Sequence, residues 1–322
     1  MGVVYMEIKN AAYKLSKEFL ETLYNIYSPV TVDSILKSFI DGRKTTLRVN
    51  KLKATVNDVQ RELRSNGIGF SNSSFLKEAF ILNKARESQI TKLNCYKEGS
   101  IYIQNLSSML PPTFLDLEKG QSILDMCAAP GGKTTEIASI IDNQGEITAN
   151  EINIIRRERL KYNVQKQGAS CIEVIGMDGK ILGDTFEEKF DRVLLDAPCS
   201  GEGTIELKRR ESYKGWSTKF IHENSKLQKK LLESGIKALK KGGILIYSTC
   251  TISPEENEEV VDYALNKYPN LRVMNLSINV KNSIQGLNVY KDKKYNDNLK
   301  KALRVIPNEE MEGFFVCKLK KK

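Results

Sequence analysis

Residues 122–138 read Ser-Ile-Leu-Asp-Met-Cys-Ala-Ala-Pro-Gly-Gly-Lys-Thr-Thr-Glu-Ile-Ala, and this stretch decides the fold. Ile123 and Leu124 open a short apolar run of the kind that forms a buried strand. Ala128 to Gly132 carry no bulky side chain, so a ligand can approach the backbone closely there. From Lys133 a helix pattern runs through Thr135, Ile137, Ala138 and Ile141. A strand, a glycine turn and a helix form the unit with which open α/β sheets hold a nucleotide or nucleoside at a strand's carboxyl end.

Working outward, strands are expected at 122–127, 145–149, 171–176, 190–196 and 243–249, with helices at 133–142, 153–167 and 221–240 between them. Such alternation means a mostly parallel sheet with right-handed crossovers. After Pro254 a helix is expected over 255–267, then strands at 271–276 and 314–319. The first hundred residues differ. Helices are expected at 7–27 and 31–40, a strand at 46–50, a Thr-capped helix at 55–66 stopped by Gly67, and strands at 79–83 and 100–103. The expected division is 1–40 N-terminal helices, 41–105 a small α+β module, and 106–322 the α/β domain.

The 322 residues are 40% hydrophobic and carry a net charge of +10. No run of about 18 apolar residues predicts a membrane span, and the N-terminus lacks the pattern of a signal peptide. Six cysteines, none in a Cys-x-x-Cys pair, point to reduced thiols in a cytoplasm, without a disulfide framework or zinc site. The charge is uneven: residues 1–105 are net +6, 106–204 net −6, and 205–241 net +7. Basic segments flanking an acidic centre suit a polyanion gripped around a pocket.

Three small-residue turns follow three of the strands: CAAPGGK at 127–133, DAPCSGEGT at 196–204 and STCTISPEEN at 248–257. The carboxyl ends of a parallel sheet share one edge, so Lys133, Asp196, Cys199 and Cys250 are expected to converge. A P-loop would need glycine where Cys127 stands, and Pro130 removes a donor from a phosphate nest, which counts against ATP. Glu151 ends the second strand about 20 residues past the glycines, where a carboxylate takes ribose hydroxyls. Asp178, ending the third, is placed for an adenine amino group.

Paired thiols with a carboxylate suit methylation at carbon 5 of cytosine, which is too electron-poor to attack a sulfonium methyl unaided. A thiolate adding at carbon 6 makes the ring an enamine-like nucleophile, and an aspartate can supply or hold the proton at ring nitrogen 3. A second thiol can assist release. The residues alone leave open which of Cys199 and Cys250 attacks. Cys95, Cys171 and Cys317 read as packed hydrophobes, as does Cys127 beside the loop.

These three motifs, with Gln104-Asn105-Leu106-Ser107-Ser108 and Glu312-Gly313-Phe314-Phe315, resemble the S-adenosylmethionine-dependent RNA cytosine-C5 methyltransferases of the RsmB/Nop2/Sun type. The resemblance implies a Rossmann-type methyltransferase sheet, mostly parallel with the last strand antiparallel, behind an N-terminal RNA-binding module. It implies Cys250 as nucleophile and Cys199 as the thiol of product release. Cys127, Ala128, Ala129, Pro130, Gly131, Gly132, Lys133, Glu151, Asp178 and Asp196 would form the S-adenosylmethionine site. Asp196 would also face the base, and Lys133 would position it or lower a thiol pKa. One departure is Asn308, where the family often has histidine after Arg304-Val305-Ile306-Pro307. Several bacterial ribosomal RNA members continue beyond the last strand, so transfer and ribosomal RNA both stay open as substrates.

Lys208, Arg209, Arg210 and Lys214, just after the Cys199 turn, are the expected RNA-binding residues. Trp216, the sole tryptophan, can pack in a core or stack on a base. The sole histidine, His222, is expected to be solvated near a helix start. The chain is expected to act as a monomer, with no metal. The competing readings are a non-catalytic RNA-binding assembly factor on the same fold and a P-loop ATPase.

Overall fold

The structure is a computed structural model describing residues 12–322. Local sequence sets the first elements. Helix α1 (Lys17–Ile26) starts where Ser16 accepts from the Phe19 amide, and α2 (Pro29–Asp41) where Ser28 caps it and Pro29 takes the first turn. The helix expected from residue 7 is thus interrupted by a turn at 13–15, and its first residues lie outside those described. Strand β1 (Thr46–Val49), helix α3 (Val56–Ser65, with a Thr55/Asp58 capping box), β2 (Phe70–Asn72), β3 (Ala79–Leu82) and β4 (Ile101–Ile103) follow. They build a four-stranded antiparallel sheet in the order β2-β3-β1-β4.

The second sheet has nine strands. Strands β5 (Ser122–Asp125), β6 (Glu146–Asn150), β7 (Ile172–Ile175), β8 (Phe190–Asp196) and β9 (Leu239–Thr249) are parallel to their neighbours in the order β9-β8-β5-β6-β7. The crossovers include α4 (Gly132–Ile140), α5 (Ile154–Gln167) and α6 (Thr218–Ala238). Beyond β9 the sheet turns antiparallel. A 3-10 turn (Pro254–Glu256) precedes α7 (Glu258–Lys267), and β10 (Leu271–Met274), β11 (Ser283–Gln285), β12 (Leu303–Val305) and β13 (Phe314–Lys321) complete the edge. The helix expected from residue 255 begins three residues later. Asn257 is outside helical backbone geometry (φ −116°, ψ −96°), and its side chain is bonded to Thr249 and Thr251.

The domains share buried polar contacts. Arg48 of β1 is 2% exposed; it donates to Gly132 O and Thr135 Oγ1, both at 3.3 Å, and lies 3.6 Å from Glu136. Asn50 donates to Gln167 O at 2.7 Å, and Gln167 returns a bond to Ile101 O at 3.1 Å. The N-terminal helices do not pack on the four-stranded sheet. Phe19, Leu23, Ile35 and Phe39 form a core with Ile205, Leu207 and Ile252 beside the turns that follow β8 and β9.

Arg304 of β12 closes the other side, donating to Glu258 Oε1 at 2.6 Å and to Ile252 O at 2.8 Å. Arg304→Met leaves the fully buried Glu258 carboxylate without its cation. That variant should lose about 3–5 kcal/mol in urea denaturation, whereas R304M/E258M should recover most of the loss.

Candidate active site

The strand ends meet as the sheet requires. In the glycine turn Gly131 has φ 107° and Leu160 would lie 3.0 Å from an added Cβ, so a side chain there is excluded by both backbone and neighbour. Asp125, at the end of β5, accepts from Thr134 Oγ1 at 2.7 Å, while its Oδ1 is buried without a partner. Burial pushes that carboxyl up to about 6.

A cavity of about 510 Å³ opens along this edge, with Glu151 and Asp178 at one part and Asp196, Cys199 and Cys250 at another. Glu151 is 3% exposed and accepts from the Asn153 amide at 2.9 Å; Arg156 lies 3.3 Å away and also donates to Ala129 O at 2.9 Å. The cation thus fixes the carboxylate against the glycine turn. Asp178 accepts from the Lys180 amide at 3.0 Å, which holds its carboxyl below the usual range. The apolar wall includes Ile152, Leu227 and Leu231. A strand-end carboxylate, an apolar wall and a turn open to close approach suit a nucleoside. Cys127, Ala128, Ala129, Pro130, Gly132 and Lys133 line an adjoining cavity of about 280 Å³, with Gln104, Asn105 and Glu312 opposite.

Lys133 Nζ is 2.6 Å from Asp196 Oδ2, and Ser248 Oγ donates to Asp196 Oδ1 at 2.8 Å. Burial, the largest single effect, pushes the ammonium down, but the charge and hydrogen bond of Asp196, with Cys250 and Asp125, together hold Lys133 above its ordinary value. The thiols of Cys199 and Cys250 are 3.3 Å apart. Their hydrogen bond, and then burial, pushes Cys199 well up. Cys95 and Cys317 are buried in cores away from this edge, and all six thiols are free.

Two carboxylates, not singled out from sequence, hold the thiol turns together. Glu202, 1% exposed, accepts from the Ile252 and Ser253 amides (2.9 and 2.7 Å), from Thr251 Oγ1 and Ser253 Oγ (2.8 and 2.7 Å), and from Trp216 Nε1 (2.6 Å). Reciprocally, Glu256 accepts from the Ser200 amide at 3.0 Å, from the Ser200 hydroxyl, and from Gln228 at 2.8 Å. Each turn therefore supplies the acid that fixes the other. The available signal was an acid among small polar residues, one in SGEGT and two in SPEEN. Gly203 also permits a close backbone approach, since an added Cβ would meet Gly313 O at 1.9 Å.

The expected RNA-binding residues divide. Lys208 donates to Asp41 O at 3.2 Å, and Arg209 lies within 4 Å of Glu206 and Glu211. Arg210 and Lys214 are exposed and reach no acid among the described residues. Trp216 packs on Phe19 with ring centroids 5.7 Å apart, and His222 is exposed. Among the described residues no cluster of metal-ligating side chains occurs, and no helix is long and apolar enough to cross a membrane.

Residues 112–320 match the family described as 16S rRNA methyltransferase RsmB/F, and residues 19–89 match its ferredoxin-like domain. Ribosomal RNA small subunit methyltransferase F of Shewanella oneidensis is 37% identical over 260 residues, covering 80% of this chain and 55% of its own. The protein of that name from Aeromonas salmonicida is 38% identical over 244 residues, covering 74% and 51%. The chain thus spans about half the length of the curated relatives it matches. A solved methyltransferase homolog protein from Pyrococcus horikoshii is 33% identical with a TM-score of 0.80, over 96% of this chain and 100% of its own. NSun6 from Pyrococcus horikoshii, solved with SFG, shares the fold (TM-score 0.81, 24% identity, 95% and 98% covered).

Burial pushes Glu256 up from 4.5 to about 7. The folded chain therefore holds this proton more tightly than the unfolded chain. The contribution to stability is full below about pH 4.5 and lost as pH rises through about 7. Between those limits the wild-type protein should lose about 1–3 kcal/mol more than Glu256→Gln, measured by urea denaturation across pH.

Proposed function

The chain belongs to the RsmB/F family of methyltransferases, and on that premise we propose that it methylates carbon 5 of a cytosine in RNA through a covalent intermediate on Cys250. S-Adenosylmethionine is the cofactor, and when bound it supplies an electrophilic methyl group on a sulfonium. The cavity beside the glycine turn is its seat, with Glu151 taking the ribose hydroxyls and Asp178 the adenine edge.

The observation that carries the reading is the pair of thiols 3.3 Å apart beside the Lys133–Asp196 ion pair. In this reading Cys199 donates to the Cys250 sulfur, a hydrogen bond that would favour the thiolate there. Cys250 then adds to carbon 6 while a proton is held at ring nitrogen 3 beside Asp196, and carbon 5 becomes nucleophilic. Once carbon 5 carries the methyl, its proton passes to solvent and the electron pair re-forms the 5,6 double bond as the carbon–sulfur bond breaks. Cys250 leaves as a thiolate that Cys199 assists by hydrogen bonding, and ring nitrogen 3 gives up its proton. Lys133 keeps Asp196 oriented toward the base. A base within folded RNA reaches this edge only when extruded, at a cost of a few kcal/mol.

The substrate class is RNA, ribosomal RNA being the class in the relatives' names. The 41–105 module and the basic insert that follows the Cys199 turn grip it, Arg210 and Lys214 being the open cations.

Cys250→Ala should abolish methyl transfer to RNA, whereas Cys199→Ala should leave RNA covalently attached, seen as a shifted band on a denaturing gel. Equal loss in both variants with no adduct would overturn the role assignment. Bisulfite sequencing of RNA from cells with and without the protein should reveal the cytosine; an unchanged map would overturn the activity itself.

A further inference from the structure

Trp216 is half-buried. Its ring packs on Phe19, and its N–H ends 2.6 Å from the Glu202 carboxylate. Part of its remaining surface lines a cavity of about 350 Å³ together with Tyr213, Lys14, Arg210 and Lys214, and part lines a smaller one beside Glu18, Glu21 and Glu255. Two aromatic side chains among three cations provide a stacking surface within reach of phosphate charge, the combination with which proteins hold single-stranded RNA without reading its bases.

The position of this cavity matters because of what lies behind Trp216. Glu202 has no cation within 4 Å among the described residues; five donors satisfy it instead. Four come from Thr251, Ile252 and Ser253, the residues directly after Cys250, and the fifth is the Trp216 indole. The cavity wall and the backbone that carries the nucleophile are therefore bonded to one carboxylate.

We propose that the cavity between Tyr213, Trp216, Arg210 and Lys214 is a subsite for a single-stranded nucleotide of the RNA substrate, and that Trp216 is a positioning residue that ties its occupancy to the Cys250 turn through Glu202. The positioning half rests on the activity proposed above; the subsite does not.

As the sole tryptophan, Trp216 reports on its own cavity. With the full chain loaded with S-adenosylmethionine, a uridine-only RNA decamer should change its emission saturably. R210A/K214A should weaken that binding about tenfold at low salt and flatten the dependence of log affinity on log salt by about 0.7 for each cation removed. No emission change at saturating RNA, or an unchanged salt slope in R210A/K214A, overturns the subsite. Trp216→Phe keeps the ring on Phe19 and removes the N–H. At saturating RNA it should lower single-turnover methylation roughly tenfold, with S-adenosylmethionine affinity unchanged. Wild-type turnover in that variant overturns the positioning role, as does a loss matched by an equal fall in cofactor affinity. Because the decamer contains no cytosine, failure of the methylation reading leaves the binding result decisive.

Discussion

The pairing of Asp196 with Ser248 across β8 and β9 is the constraint on which the site depends. It sets the carboxylate and hydroxyl side by side, and the chains then leave the sheet at one level. Three residues later stands Cys199; two residues after Ser248 stands Cys250. Side chains alternate faces along a strand, so a slip of one residue would turn Asp196 away from Lys133 and separate the thiols. Everything else at this edge can be seen as a means of holding that register once the strands have ended.

Beyond a strand's last residue no ladder fixes the backbone, and a turn rich in small residues has little apolar surface to anchor it. Here the anchors are charges, exchanged between turns: Glu202 on one side and Glu256 on the other. Among the described residues neither has a cation within 4 Å; amides, hydroxyls and the Trp216 indole satisfy them. The nearby Lys133 ammonium is committed to Asp196. The two thiols face one another, and either sulfur can donate the hydrogen bond between them.

Much of this could be read from residues 122–138, 196–204 and 248–257, because strand period, turn chemistry and the shared edge of a parallel sheet are local or topological properties. The five parallel strands and the meeting of the thiols followed from them, whereas the direction of the last strand came with the family resemblance and the strands at 283–285 and 303–305 were not foreseen. What did not follow were contacts between side chains far apart in sequence. Arg48 looked like one more strand residue, yet it is buried against the cofactor helix. Arg304, noted only as part of a motif, closes the core behind Ile252. Trp216 presented two readings, packing and stacking, and its surroundings provide a surface for each. The late start of α7 has the same origin: Asn257 is held by threonines across the turn, a demand that overrides a sequence locally good for a helix.

The Arg48 contact also bears on how such a chain could be rearranged in evolution. The small module has its own sheet and its own core. Its arginine nevertheless completes the polar shell of the glycine turn, donating to Gly132 and facing Glu136. A recombination boundary between them would strand buried polar groups on each side, so exchange of the module would require Arg48 and Glu136 to change together. New substrate preferences would then be expected to arise from the surface insert after β8, or from additions at the chain's ends, and not from exchange of the module.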